Sequence, residues 1–337
     1  MLTARKAVIL KVLVDEYITK GVPVASETVA RGGLGVSSAT IRNEMVALEE
    51  EGFLAQPHTS AGRIPTDKGY RHYVESLMDD VQLPLDQQLR IYHQFHQVET
   101  DIDEWTRLAA SILSRLLRNA AIVTLPKHRE SRLLHLELVY VQDLLALLIV
   151  ILREARARQQ MLMLDEPMSA EDLHATARRL NALLGGLLVS ELPMLAVDLS
   201  PLERQVVTTV SQMMQAEQQE EYEEPYVDGL RHIMSQPEFT GMSKLAAVVE
   251  LLEQRSLLRS ILPRLVASEG VRVVIGSENE EEAMRECTMV VTRYGIPGEV
   301  SGAIGIVGPT RLEYRVAIPA VGFLSGVMSE LVGEMYG

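Results

Sequence analysis

The sequence predicts an α+β protein, and three observations carry that prediction. Short amphipathic segments broken by glycines fill residues 1–75. Four short apolar stretches follow: "AAIVTL", "LLHLELVYV", "LLALLIVIL" and "QQMLMLD". A second set, "VRVVIG", "CTMVVTRYG" and "GAIGIVGP", returns after a long, mainly helical interval. Strands, then helices, then strands that complete the sheet describe a domain with an insertion.

In the first segment Ile9, Leu13 and Tyr17, flanked by Leu10 and Val14, recur at helical spacing and stop at Gly21. A shorter helix, roughly Ser26 to Arg31, ends in "GGLG". Ser37 has the chemistry of an N-cap for a third helix, which Gly52 stops. Ile41, Met45 and Leu48 fall on one side of that helix and face a core. Ala39, Arg42 and Asn43 point the other way, near its start. A helix, a glycine turn and a helix with such an exposed first turn form a helix-turn-helix arrangement. Small side chains admit close approach to the major groove, Arg can pair with guanine O6 and N7, and Asn with adenine N6 and N7. Free N–H groups at the helix start can hold a phosphate.

The context supports that reading. "GFLAQ" reads as a strand, "PHTSAG" as a turn and "RIPT" as the returning strand. The result is a hairpin with a polar tip, expected to place Arg63 against phosphate or a narrow minor groove. Thr66 caps a fourth helix along which Lys68, Arg71 and His72 add positive or polar groups.

Charge distribution permits a DNA-binding end. The net charge is −14, yet residues 1–75 hold nine Lys/Arg and nine Asp/Glu. The other 262 residues, with 23 basic and 37 acidic groups, carry all of it. The lone cysteine, Cys287, excludes an internal disulfide and reads as a buried small hydrophobe. The N-terminus lacks the pattern of a signal peptide, and the run Leu144 to Leu152 is about half of a membrane span. A soluble, cytoplasmic protein is expected, with no membrane partner. His93 and His96 lie three apart, with no further ligand at a metal-binding spacing. The glycines at 302, 305 and 308 lack the Lys-Ser/Thr of a phosphate loop and read as strand and turn residues. With no triad or carboxylate pair on recognisable elements, the chain is read as no enzyme, with neither cofactor nor metal.

The stretch "GVSSATIRNEMVALEEEGFLAQPHTSAGRIPTDKGYRHYV" closely resembles the N-terminal domain of the HrcA family of heat-inducible transcription repressors. "VRVVIGSENEEEAMRECTMVVTRYG" and "GAIGIVGPTRLEY" are similar to its C-terminal region. The residue reading places a winged helix-turn-helix at residues 1–78, a polar, Gln-rich connector at 79–100 and an insertion at about 167–240, and the resemblance agrees. The resemblance implies that the α+β domain, at 101–166 and 241–337 on those limits, is GAF-like and that the mainly helical insertion at 167–240 is a dimerisation domain. The implied function is repression of chaperone genes by a homodimer on an inverted-repeat operator, with the GroE chaperonin promoting the active state. DNA-facing residues would be Ser37, Ser38, Thr40, Arg42 and Asn43, with His58, Thr59, Ser60 and Arg63 in the wing. Ala39, Lys68 and Arg71 join this set from the residue reading. His72 departs from the aromatic residue expected at its position. A regulator whose GAF-like domain senses a small molecule is the alternative.

Overall fold

A computed structural model describes residues 2–33, 35–58, 61–79, 81–98, 101–128, 132–152, 157–192, 198–219, 225–239, 242–253, 262, 266 and 270–336. The chain divides into two compact units: residues 1–126, 224–296 and 302–337 in one, residues 127–223 and 297–301 in the other.

The first unit opens with helix α1 (Ala4–Lys20). The Thr3 side chain caps it, and Gly21 ends it at φ 67°. Ile9, Leu10, Leu13, Val14 and Ile18 form its buried stripe. Helix α2 (Ser26–Arg31) follows. Gly33 and Gly35, both at positive φ, turn the chain into α3 (Ser38–Glu50). As the spacing predicts, Ile41, Met45 and Leu48 are buried and Gly52 takes a left-handed φ of 80° beyond the helix end. Strands β1 (Leu54–Ala55) and β2 (Ile64–Pro65) pair antiparallel, Leu54 opposite Pro65 and Ala55 opposite Ile64. Thr66 then caps α4 (Asp67–His72), accepting from the Gly69 amide at 3.1 Å, and its hydroxyl donates to Gly52 O at 2.7 Å. His72 packs its ring at 5.4 Å from that of Phe53, which retains an aromatic contact at this position. A π-helical turn over Tyr73–Leu77 continues α4.

Helices α5 (Leu85–His96) and α6 (Ile102–Leu117) precede β3 (Ala120–Val123). The second unit interrupts here, over residues 127–223. The first unit resumes with β8 (Tyr226–Asp228), α9 (Leu230–Met234) and α10 (Met242–Glu253). It closes with β9 (Arg272–Ile275), β10 (Cys287–Ile296), β11 (Val300–Pro309) and α11 (Tyr314–Tyr336). The sheet order is β8-β3-β11-β10-β9, with antiparallel registers for β9–β10, β3–β11 and β3–β8. Glycines 302, 305 and 308 lie within β11. A β-carbon on Gly302 would meet the Tyr294 ring, and one on Gly305 the carbonyl of Val290, both at 2.4 Å. Cys287 is fully buried, and burial pushes its thiol up to about 12. Helix α11 is long and apolar enough to cross a membrane by length and composition, but Tyr314, Ala317, Val321, Leu324 and Met328 are core residues packed in this unit.

The second unit carries β4 (Lys127–His128), which pairs with Val300 and Ser301, and a separate antiparallel sheet of β5 (Leu133–Gln142), β6 (Leu145–Leu152) and β7 (Ala157–Met163). Helices α7 (Ala170–Leu184) and α8 (Pro201–Gln219) cover one face. Leu136, Leu138, Leu148, Val150 and Leu162 meet Leu173, Ala177, Leu180, Val206 and Val210 there. The Asn181 side chain extends the edge of β5, accepting from the Leu136 amide and donating to its carbonyl, both at 2.8 Å. The four stretches from "AAIVTL" to "QQMLMLD" therefore do not form one sheet. β3 is buried at every position, as suits a central strand, whereas β6 alternates, as suits a sheet covered on one face. This unit also begins ahead of residue 167, because β5–β7 share their core with α7 and α8. The acidic stretch "EQQEEYEE", residues 217–224, has side chains outside the described residues.

Candidate nucleic-acid interface

The first turn of α3 is built by its own cap. Ser37 Oγ accepts from the Thr40 amide at 3.2 Å and lies 3.0 Å from Thr40 Oγ1, so the two hydroxyls order each other. Ser37 and Ala39 are exposed, and Ser38 and Thr40 half-buried. With Ile41 and Met45 turned inward, helical geometry turns Arg42 and Asn43 outward, and both are exposed. Among the described residues, no hydrogen bond or ion pair holds either side chain. His58 is exposed at the hairpin end; Thr59 and Ser60 lie outside the described residues.

The remaining basic residues are placed differently. Arg63 is not a free tip residue. Its amide donates to Val24 O and its carbonyl accepts from the Val24 amide, both at 2.9 Å. Its guanidinium binds Glu49 Oε2 through Nε at 2.9 Å and Nη2 at 2.7 Å, and 11% of the side chain is exposed. Lys68 is exposed, but its Nζ donates to Glu51 O at 2.7 Å and sits 4.4 Å above the Phe53 ring. Arg71 faces the central sheet. Its Nε donates to Glu278 Oε1 at 2.8 Å, and its Nη2 to Val273 O at 2.6 Å and to Glu278 Oε2. Burial alone would raise the Glu278 carboxyl. Arg71, the Ile275 amide and Arg272 outweigh it and hold that carboxyl below its ordinary range.

A polar groove of about 190 Å³ separates the helices from the hairpin. Arg42 and Met45 line its helical side, Gln56, Ala61, Gly62 and Arg63 the hairpin side, and Val24 to Glu27 its end. Val24 and Glu49 are missing from the residues expected at this site. Glu49 follows Arg42 by seven positions, two helical turns along the same flank, which is the one signal in the sequence that could have pointed to it. His93 and His96 bond within their own helix, to Gln97 and to Tyr92 O, each at 2.9 Å.

Comparison with known proteins agrees with the resemblance. The family model described as "HrcA protein C terminal domain" matches residues 103–318. A heat-inducible transcription repressor HrcA of Dehalococcoides mccartyi is 43% identical, over all of this chain and 98% of its own. The proteins of the same name from Herpetosiphon aurantiacus and Chloroflexus aurantiacus are 40% and 38% identical, with 97% and 95% of their lengths covered, and all and 99% of this chain. Among solved structures, the crystal structure of a hypothetical protein superposes with a TM-score of 0.60 at 25% identity, over 99% of this chain and 98% of its own. The chain belongs to the HrcA family of heat-inducible transcription repressors.

Proposed function

We propose that this repressor acts by binding an inverted-repeat operator of chaperone genes as a homodimer, reading each half-site with the first turn of α3. The observation that carries this is the exposed Arg42–Asn43 pair, unengaged among the described residues, with Arg42 lining the groove beside the hairpin. Helices α1 to α3 and the β1–β2 hairpin have the order of a winged helix-turn-helix, with Ser37, Ser38, Ala39 and Thr40 close to the DNA and His58, Thr59 and Ser60 in the wing. Lys68 lies on the flank, where a small movement off the Phe53 ring would bring it to phosphate. The sheet β8-β3-β11-β10-β9 with α6 and α11 is the GAF-like domain.

A dimer follows from the size of the reading element. One short helix reads only a few base pairs, and two such helices ~34 Å apart, or a multiple of it, read both halves of a palindrome. The outer face of β5–β7 suits the contact between copies. Val139, Met161 and Met163 are exposed there beside half-buried Leu145, Leu147, Ile149 and Ile151. A GroE-type chaperonin would raise the population of correctly folded dimer, and so the fraction of competent repressor.

The test is a titration against a chaperone-operon inverted repeat and a scrambled duplex at two salt concentrations, with and without chaperonin. Preference for the palindrome of about a thousandfold or more, with two chains bound, is the expected outcome. Equal binding of both duplexes, chaperonin present or absent, refutes the operator reading.

A further inference from the structure

Arg63 is the hairpin residue that sequence reasoning aims at DNA, yet its surroundings give it other work. It forms a backbone bridge with Val24, and the residue before it, Gly62, passes so close that a β-carbon would lie 2.4 Å from Val24 O. The guanidinium turns back into the protein and is held by Glu49 Oε2 at 2.7 and 2.9 Å. Glu49 sits on α3, on the same flank as Arg42. The helix that presents Arg42 and the strand that carries the hairpin are thus joined by an ion pair across the groove wall. The strands need such a tie, because β1 and β2 pair over two residues each, and so short a ladder defines a hairpin's direction poorly.

We propose that Arg63 and Glu49 are positioning residues. Their ion pair sets the angle between the hairpin and α3, and therefore the width of the groove that Arg42 lines, without touching DNA itself. This rests on the operator reading above. A site held in its productive geometry before binding loses less on complex formation.

Direct contact and positioning predict opposite signs for one substitution. If Arg63 reached phosphate, Glu49 would be a competitor, and Glu49→Gln would free the guanidinium and tighten operator binding. If the pair positions the hairpin, Glu49→Gln weakens it. Full-length wild type, Glu49→Gln, Arg63→Met and the double variant should be titrated against the palindromic and scrambled duplexes at two salt concentrations. The expected result is a loss of about tenfold on the palindrome for each single variant, and no further loss in the double variant, since both remove the same coupling. Scrambled DNA should be bound as by wild type, with the salt slope unchanged.

Tighter binding by Glu49→Gln overturns the proposal, as does an Arg63→Met slope lower by about one counterion. If Arg63→Met fails to fold, the sign of the Glu49→Gln effect decides alone, with its melting temperature as the control. A wild-type chain that binds both duplexes alike overturns the operator reading instead. Amide exchange at Val24 and Arg63 then still tests the tie, because both amides must exchange faster in Glu49→Gln if the ion pair holds the hairpin, and an unchanged rate overturns it.

Discussion

Three arginines of the first 75 positions are held in two different ways. Arg42, like the neighbouring Asn43, is exposed and unengaged among the described residues, while Arg63 and Arg71 are clasped by Glu49 and Glu278. Both kinds look alike in the sequence as cations near a helix-turn-helix. The difference is what each charge is already compensated by. An exposed guanidinium keeps its donors for a base or a phosphate, whereas a paired, half-buried one orients elements and would have to break its pair to bind anything else. On the proposed function, reading and bracing thus fall to neighbouring side chains of the same small assembly.

The largest effect should come from breaking the braced side. The Tyr314 ring packs, tilted, at 5.8 Å from that of Tyr70 and 6.5 Å from that of Tyr73, which joins α4 and its π-helical turn to α11. Burial and the Asp15 carboxylate keep the Tyr73 phenol protonated far above its usual range, and Arg315 donates to its oxygen at 2.9 Å. Tyr314→Ala should cost about 3–5 kcal/mol in a denaturant melt. A loss below about 1 kcal/mol would mean that this aromatic cluster does not brace α4.

On the reading side, Arg42→Ala should cost ~1–3 kcal/mol on the operator and relax preference at one base position. Its melting temperature should match wild type. Equal losses on operator and scrambled DNA would instead make Arg42 a phosphate contact.

Arg71→Ala belongs to the braced group and should show the reverse pattern. Its side chain is 27% exposed and that of Glu278 35%, so solvent screening limits the loss of stability to about 1–2 kcal/mol. Operator and scrambled DNA should be affected alike. This pair also gives a pH signature. The folded-state pKa of Glu278 lies below its ordinary 4.5, so its contribution is present above about pH 4.5 and lost as pH falls through the folded value. Glu278→Gln should therefore be less stable than wild type at neutral pH, and the gap should close on acidification. A gap that widens in acid would reverse the sign assigned to this carboxylate.

The smallest effect distinguishes local from external roles at the helix start. Ser37→Ala removes the cap of α3 and should cost about 1 kcal/mol in stability. A loss confined to operator affinity would move Ser37 from helix capping to DNA contact.

Local chemistry made much of this legible in advance. Ser37 and Thr66 as caps, Gly21 and Gly52 as stops, and the Ile41, Met45, Leu48 stripe all act within one or two helical turns. The exposure of Arg42 and Asn43 followed from the same periodicity. What stayed hidden involved partners far along the chain. Arg71 and Glu278 are 207 residues apart, and "AAIVTL" resembles the strands that follow it, although β3 pairs with β11 and β8 instead.

The sequence by itself determined the helical elements of the head, the hairpin and the turn that faces outward, because caps, glycines and apolar spacing act between near neighbours. Only the tertiary structure decided which cations remain free, which sheet each strand joins and how the hairpin is tied to α3. Those outcomes depend on charges and backbone groups brought together by folding, and no local pattern records which partner will be within reach.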